Sequence, residues 1–262
     1  MTEPQIRFDD AAAYENFMGV WSRSVGEVFL EWLSAPESLA WLDVGCGNGA
    51  FTELLVERVG PSRILGVDPS DAQLDYARKR HTAGIAQFVK GDAMALPVAD
   101  GSFDAAVMAL VIFFVPQPPK GVAEMVRAVK PDGHISAYAW DLLGGGFPLH
   151  VIHEELLALG LPSPLPPSPE ASRLEVLSGL WRDAGFTGIV TTAITVERTF
   201  ADFETLWAVN LSGPRLSAVS SAMTPEQRMA LKTNVRARLT PDGQGRFTTS
   251  ARAHAIKGRT AE

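Results

Sequence analysis

The strongest constraint on the fold is an alternation of short apolar segments with amphipathic helical patterns through the first 140 residues. Nearly continuous apolar strands of this kind are buried on both faces, so the pattern predicts a parallel sheet covered by helices. Helical crossovers between parallel strands are right-handed. The chain is therefore expected to form a doubly wound, Rossmann-like α/β fold, whose ligands bind at the carboxyl ends of the strands.

Composition narrows the functional classes. The chain has 262 residues, of which 46% are apolar and 20% charged, as in an ordinary globular domain. Its formal charge of −7 argues against sequence-independent nucleic-acid binding, which depends on Lys and Arg. Cys46 is the only cysteine, which excludes an internal disulfide and fits a reducing cytoplasm. We expect no signal peptide, because the N-terminus lacks a basic start followed by an apolar stretch. We expect no membrane span, because the longest apolar run, 105–115, is shorter than the roughly 20 residues a bilayer requires.

The periodicity predicts the individual elements. Apolar runs predict strands at 40–44, 63–68, 86–92, 103–109, 134–140, 188–198 and 247–257. Helical spacing predicts helices within the first 40 residues and at 50–59, 70–80, 120–129, 150–159, 172–184, 200–211 and 224–239. We divide the chain into a helical cap at 1–39 and an α/β domain at 40–262, with an insertion at about 199–245. The proline-rich segment 161–170 is interpreted as a rigid connector or lid.

The stretch LDVGCGNG, residues 42–49, is the most informative motif. Glycine at positions 45, 47 and 49 lets the backbone approach a ligand closely and aims the N-terminus of the next helix at it. Cys46 within the turn is interpreted as a small filler and not as a nucleophile, since no neighbour would activate a thiolate.

Two ligand classes use such a turn. The spacing Gly45-x-Gly47-x-x-Ala50 also fits a dinucleotide fold, in which Asp68 would bind ribose hydroxyls. That alternative predicts an NAD(P)-dependent oxidoreductase. A second acid, Asp92 in GDAMALP, instead suggests a carboxylate that accepts a hydrogen bond from a purine amine.

Taken together, LDVGCGNG, GVDPS, GDAMALP, SFDAAVMALVIFFV and VKPDG resemble the class I S-adenosylmethionine-dependent methyltransferases over about residues 40–140. More narrowly, the chain looks like the small-molecule branch related to ubiquinone and menaquinone biosynthesis methyltransferases, since YENFMGVWSRSVG is similar to that branch's N-terminal helix. The resemblance implies S-adenosylmethionine as cofactor. It also implies a seven-stranded sheet of order 3-2-1-4-5-7-6 with the last strand antiparallel.

The resemblance implies a role for each residue of a cofactor site. Gly45 and Gly47 would line the methionine part of the cofactor. Asp43 would help to hold its amino group, and the carbonyl of Ala109 would accept a hydrogen bond from the same ammonium. Around the nucleoside, Asp68 would bind the ribose hydroxyls, with Pro69 and Ser70 beside the adenine. Asp92 would accept a hydrogen bond from the adenine amine, and Ala93 and Met94 would cover the adenine ring. Tyr14 and Trp21 are candidates to close over the sulfonium, although an aromatic stripe at helical spacing more often belongs to the core.

One departure affects the chemistry. Related enzymes often carry a polar residue at the end of the fourth strand, where this chain has Leu110, so either the acceptor is already nucleophilic or a base comes from elsewhere. Asp141, His150 and His153 are candidates for that base, but we favour a solvent-facing pair for the two histidines. No catalytic residue and no metal site is assigned. A non-catalytic protein that binds the same cofactor is a further alternative.

Aromatic residues after the fifth strand favour an apolar or aromatic acceptor. They are Trp140, Phe147, Phe200, Phe203 and Trp207. We therefore expect methyl transfer to the O, N or C atom of a small molecule. The sequence leaves the acceptor and the oligomeric state undetermined.

Overall fold

The computed structural model describes residues 18–82 and 84–261. Within these ranges the strands are β1 Ala40–Val44, β2 Arg63–Asp68, β3 Ala86–Lys90, β4 Phe103–Ala109, β5 Val129–Trp140, β6 Thr187–Phe200 and β7 Phe247–Arg259. The α-helices are α1 Val20–Leu33, α2 Ala50–Val59, α3 Asp71–Ala77, α4 Pro118–Ala128, α5 His150–Ala158, α6 Leu174–Asp183, α7 Phe203–Leu211, α8 Pro214–Ala222 and α9 Pro225–Ala237. Short 3₁₀ turns lie at Ile112–Phe114 and Pro169–Ser172.

The strands form one sheet of order β3-β2-β1-β4-β5-β7-β6. β1 pairs in parallel with β2 and β4, and β7 runs antiparallel to both β5 and β6. The predicted fold class, strand order and antiparallel last strand are confirmed. The carboxyl ends of β1, β2 and β4 therefore meet at one edge, where the glycine turn follows β1.

Burial explains why the central strands are almost purely apolar. All five residues of β1 are buried, including Asp43, and the 105–108 segment of β4 is fully buried. α1 packs against α2 and against β6 and β7, while α6 packs against α4, β6 and β7.

The last turn of α1 is held by a lysine from the sheet. Nζ of Lys257 on β7 donates hydrogen bonds of 2.9 Å and 3.0 Å to the carbonyls of Trp32 and Leu33, and it lies 4.6 Å from the centroid of the Trp32 ring. A cation at a helix C-terminus satisfies free carbonyls and opposes the helix dipole. This contact fixes α1 on the strand pair β6–β7.

Helices α5, α7, α8 and α9 contribute to a second hydrophobic cluster, separate from the main core. Its buried members are Ile152, Leu156, Phe200, Phe203, Leu206, Leu216, Met223, Leu231, Val235 and Phe247. α9 begins with a capping box in which Thr224 and Gln227 exchange side-chain and backbone hydrogen bonds. These helices thus form a compact layer beside the sheet.

Among the differences from the prediction are two element starts and one helix that was not predicted. α4 starts at Pro118, two residues before the predicted start, because proline is tolerated at the first helical position. β5 begins at Val129, because Val129 pairs with Phe103 ahead of a register shift between the two strands. The strand therefore includes Pro131 and Gly133, which were predicted to end the preceding helix. α8 was not predicted, because its small and polar residues resemble a loop and only packing on α7 defines it as a helix.

Within the described ranges, none of the helices has the length and apolarity that crossing a bilayer requires.

Candidate active site

The glycine turn adopts a backbone conformation that other residues rarely reach. Gly45, Gly47 and Gly49 have φ of 76°, 52° and 77°. A Cβ on Gly45 would lie 2.5 Å from Val111, and one on Gly49 would lie 3.0 Å from Ala77, so these two glycines are required by packing. A Cβ on Gly47 would meet no heavy atom within 4 Å. Gly47 therefore faces open space, which leaves room for a ligand against its backbone.

Asp68 closes the other side of this space. Its Oδ2 accepts a 2.9 Å hydrogen bond from the N–H of Gly47, and its Oδ1 accepts one of 2.9 Å from the N–H of Ser70. A carboxylate offers about four acceptor positions, so two remain, the number that two vicinal hydroxyls need. Burial raises the pKa of Asp68, while the two backbone hydrogen bonds oppose that rise.

Asp43 lies below the turn and is completely buried. Its Oδ2 accepts a 2.6 Å hydrogen bond from the hydroxyl of Thr52 on α2, whereas its Oδ1 has no partner among the described residues. Burial raises the pKa of Asp43 to about 7, helped by the nearby charge of Asp68 and opposed by the Thr52 hydrogen bond. Asp43 is thus a carboxyl group that a nearby positive charge would stabilise in its ionised form.

Asp92 sits in a tight turn after β3. Its Oδ1 accepts a 2.8 Å hydrogen bond from the N–H of Met94, and the N–H of Gly91 donates to the carbonyl of Asp68 at 3.2 Å. These bonds bring Asp92, Ala93 and Met94 to the same sheet edge as Asp68. Asp92 is exposed and Ala93 and Met94 are half-buried, so all three are accessible to a ligand.

The neighbouring turn after β2 presents the remaining two predicted residues. Pro69 is exposed and Ser70 half-buried. The hydroxyl of Ser70 also accepts a 3.4 Å hydrogen bond from the N–H of Gln73 and caps α3. Ser70 therefore has a structural role in addition to any contact with a ligand.

The end of β4 combines apolar side chains with a strained backbone. Ala109 is half-buried and is followed by Leu110, a non-glycine residue with φ of 62°. The N–H of Leu110 donates a 2.8 Å hydrogen bond to the carbonyl of Tyr138, which holds this conformation. A residue in the left-handed region costs about 1–3 kcal/mol, and such strain clusters at functional sites. Val111 then packs against Gly45, joining this loop to the glycine turn.

The two aromatic candidates of the N-terminal segment have different outcomes. Trp21 on α1 is only 3% exposed and belongs to the main hydrophobic core. Tyr14 lies outside the described residues. Cys46 is buried beside Gly66 and Phe88, and burial raises the pKa of its thiol, an environment in which a thiolate nucleophile is disfavoured.

The candidates for a general base after β5 are all engaged. Asp141 is 4% exposed, and its Oδ2 accepts hydrogen bonds of 3.1 Å and 2.5 Å from Nε and Nη2 of Arg252. Its Oδ1 accepts a 2.8 Å hydrogen bond from the N–H of Gly144. These bonds tie the 141–147 loop to β7, so the carboxylate serves the structure of the loop.

The expectation that His150 and His153 form a solvent-facing pair was only partly right, since both residues are half-buried. Both rings pack edge-on against Phe147, at centroid distances of 5.9 Å and 5.6 Å. His150 also lies 3.2 Å from Glu154, and Nδ1 of His153 shares a 2.7 Å hydrogen bond with Oγ of Ser163. The proline-rich segment folds back over α5, which buries that face of the helix and which periodicity alone did not reveal.

Of the five aromatic residues expected to border an acceptor, two lie in the main core and three in or against the second cluster. Trp140 and Phe147 belong to the main core, whereas Phe200, Phe203 and Trp207 belong to or pack on the second cluster. Sequence reasoning did not single out Thr52, Arg252 or Ser163, because each acquires its role only through a contact distant in the sequence. Among the described residues, no group of three His, Cys, Asp or Glu side chains is placed to hold a metal ion.

A sequence profile described as a methyltransferase domain matches residues 42–137. The malonyl-[acyl-carrier protein] O-methyltransferase of Erwinia pyrifoliae is 30% identical over 155 residues, which cover 55% of this chain and 58% of that protein. The 2-phytyl-1,4-naphtoquinone methyltransferase of Thermosynechococcus vestitus is 34% identical over 110 residues, which cover 41% of this chain and 48% of that protein. The chain thus spans about half the length of these curated relatives.

The fold has a counterpart among solved structures. Phosphoethanolamine N-methyltransferase 2 of Haemonchus contortus, solved in complex with S-adenosyl-L-methionine, aligns with a TM-score of 0.58 at 16% identity, covering 95% of this chain and 56% of that one. At this identity the likeness concerns the fold. The profile match covers the last three residues of β1, the glycine turn, Asp68, Asp92 and β4, which carry the candidate site. By this match, residues 42–137 of the chain correspond to a methyltransferase domain.

Proposed function

We propose that this protein is an enzyme that transfers a methyl group from S-adenosylmethionine to a small-molecule acceptor. The observation that carries the proposal is the open face of Gly47 opposite Asp68, within a domain that matches methyltransferases. A backbone without a Cβ and a carboxylate with two spare acceptor positions fit a nucleoside with two ribose hydroxyls.

In this proposal two parts of the carboxyl edge of the sheet hold the cofactor, one the nucleoside and the other the methionine. Asp68 accepts the ribose hydroxyls, Pro69 and Ser70 border the adenine, and Asp92 accepts the adenine amine with Ala93 and Met94 over the ring. The open Gly47 backbone favours this arrangement, because it leaves this part of the sheet edge accessible.

The methionine part lies on the other side of the turn. Gly45 and Gly47 line it, Asp43 stabilises its ammonium, and the carbonyl of Ala109 accepts from that ammonium. The partnerless Oδ1 of Asp43 supports this role, since an ionised carboxyl group in a buried site needs a compensating positive charge. Tyr14 remains a candidate for closing the sulfonium end, whereas the burial of Trp21 in the main core does not support that role for Trp21.

Bound S-adenosylmethionine would supply an electrophilic methyl group on a positively charged sulfur. A lone pair of the acceptor atom would form the new bond to carbon, and the electron pair of the broken sulfur–carbon bond would stay on sulfur. The sequence from Met108 to Gln117 contains no titratable side chain, and Asp141 is paired with Arg252. We therefore propose that the described residues position an acceptor that is already nucleophilic.

Ligand-dependent thermal stability separates this function from a nicotinamide-dependent oxidoreductase. S-adenosylhomocysteine, the reaction product, should raise the Tm. At 100 times its Kd it should stabilise the folded state by about 2.7 kcal/mol, whereas NAD and NADP should leave the Tm unchanged. Stabilisation by NAD alone would overturn the assignment.

Turnover separates the enzyme from a non-catalytic cofactor-binding protein. Release of S-adenosylhomocysteine is measured with a panel of phenols, amines and carboxylic acids as acceptors. Release that depends on one acceptor class supports the proposal. Cofactor binding without release from any member of an extended panel would identify a binding protein instead.

A further inference from the structure

The segment 91–102 joins β3 to β4 without a helix or a strand of its own, and it carries Asp92, Ala93 and Met94. Within this segment, all of which the structure describes, Leu96 is the only buried residue. A segment with few buried side chains gains little from hydrophobic packing and opens at a low free energy. The conformation of this segment therefore depends on its hydrogen bonds.

The first half of the segment closes on itself. The N–H of Ala95 donates a 3.0 Å hydrogen bond to the carbonyl of Asp92, and the two residues form an isolated antiparallel bridge. A Cβ on Gly91 would lie 2.7 Å from Cδ of Pro97, so the proline ring covers Gly91. This turn continues from β3 at one end, and its position also depends on what holds the other end.

Glu124 and Arg127 of α4 hold that other end through the backbone of Leu96. The N–H of Leu96 donates a 2.7 Å hydrogen bond to Oε2 of Glu124, and its carbonyl accepts one of 3.1 Å from Nη2 of Arg127. Residues three apart on a helix are neighbours on its surface. One face of α4 thus fixes both backbone groups of the residue that follows the turn.

The guanidinium of Arg127 uses all of its donors in this arrangement. Two of its five N–H groups form a bidentate pair with Glu124, each at 2.8 Å. The other three donate to the carbonyl of Leu96, to the carbonyl of Val98 at 2.8 Å and to Oδ1 of Asp100 at 2.6 Å. Lysine has the charge but only three donors on one nitrogen, so it cannot replace this fork.

The pair is partly shielded from solvent. The side chains of Glu124 and Arg127 are 20% and 30% exposed. The hydrogen bond from Arg127 holds the pKa of Glu124 below its ordinary value, so the pair is ionised at neutral pH. Glu170 and Arg173 form a second pair with the same spacing, but their side chains are 66% and 47% exposed. This second pair provides a matched control.

We propose that Glu124 and Arg127 are positioning residues for adenine recognition, which hold the segment 91–102 so that the carboxylate of Asp92 meets the adenine amine. The inference rests on the proposed function, which assigns Asp92 to that amine. Both residues act through the turn that carries Asp92 and do not touch the cofactor themselves.

The test compares S-adenosylhomocysteine with S-inosylhomocysteine, in which an oxygen replaces the adenine amine. Isothermal titration calorimetry on the full chain gives the ratio of the two affinities. The wild type should prefer S-adenosylhomocysteine at least about tenfold, since a hydrogen bond to a charged group is lost with the analogue. A variant that is partly unfolded binds both ligands more weakly by the same factor, so stability effects cancel in the ratio.

Three variants and one control are measured with both ligands. Arg127→Lys, Arg127→Met and Asp92→Ala should each reduce the preference to about threefold or less. Combining D92A with R127K should reduce it no further, because the two changes remove the same interaction. Arg173→Lys makes the same change in the exposed pair and should keep the wild-type ratio.

The outcomes separate the inference from the proposed function. A wild-type ratio in either folded Arg127 variant, or an equal fall of the ratio in R173K, would overturn the inference while the proposed function stands. If R127M does not fold, the ratio of R127K decides. Equal affinity of the wild type for the two ligands, or a wild-type ratio in D92A, would overturn the placement of the adenine amine at Asp92 and the inference with it.

Discussion

The backbone N–H of Gly47 donates a 2.9 Å hydrogen bond to Oδ2 of Asp68 and so joins the turn after β1 to the end of β2. The same carboxylate accepts a hydrogen bond from the N–H of Ser70, the N-cap residue of α3. Asp68 is therefore both the support of the open glycine turn and the proposed ribose ligand. Variants at this position must be judged by ligand affinity and by stability.

Substitution of Asp68 by alanine should weaken S-adenosylhomocysteine binding about 100-fold or more, because two charge-assisted hydrogen bonds to the ribose would be lost. Isothermal titration calorimetry measures this loss. Asp71→Ala is the matched control, since Asp71 is a neighbouring exposed aspartate that pairs with Lys90. Unchanged affinity in D68A would place the ribose elsewhere.

Gly47 and Gly60 form a matched pair for testing the turn. They have φ of 52° and 62°, and a Cβ on either would meet no heavy atom within 4 Å. Alanine at each should therefore cost a similar backbone strain of about 1–2 kcal/mol. Only G47A should weaken S-adenosylhomocysteine, by about tenfold, since its methyl group would enter the cofactor space.

Thermal unfolding and calorimetry of both variants check this prediction. Gly60 ends α2 on the far side from the turn, so G60A controls for strain without altering the site. An equal affinity for the two variants would show that no ligand approaches Gly47.

Asp43 should make the stability of the ligand-free protein depend on pH. Burial raises its pKa from 3.8 to about 7, so the native state binds one more proton than the unfolded state between these values. The free energy of unfolding contributed by Asp43 therefore falls as the pH rises from about 4 to 7. Asparagine mimics the protonated form and keeps an acceptor for Thr52.

The difference in Tm between D43N and the wild type should accordingly grow in favour of D43N from pH 5 to pH 8. Asp75→Asn, an exposed aspartate on α3, controls for the loss of one negative charge. A difference that is constant with pH would show that Asp43 is ionised in the folded protein throughout this range.

The pair Arg252–Asp141 should contribute far more to stability than the pair Arg259–Asp132. Both arginine side chains are 45% exposed, but Asp141 is 6% exposed and Asp132 63%. Arg252→Met leaves a buried carboxylate without its partner and should cost about 3 kcal/mol, whereas Arg259→Met should cost less than about 1 kcal/mol. Chemical denaturation measures both, and similar losses would contradict the structural role assigned to Arg252.

Local patterns were sufficient to predict the sheet. Each central strand is a continuous apolar run between turn signals, and seven strands and their order follow from these runs together with the resemblance to a known fold. The same patterns place Asp43, Asp68 and Asp92 directly after or within strands, so their position at one edge was predictable. Element ends were predicted less well, as β5 shows, because pairing with Phe103 extends it past Pro131.

Tertiary contacts decided the properties of the individual side chains. Complete burial beside Thr52 gives Asp43 its raised pKa, and the distant residue Arg252 binds the carboxylate of Asp141. The fold of the proline-rich segment over α5 makes His153 a half-buried partner of Ser163. Strand periodicity is a local property that the sequence encodes directly, whereas burial, pKa and hydrogen-bond partners depend on residues that only the folded chain brings together.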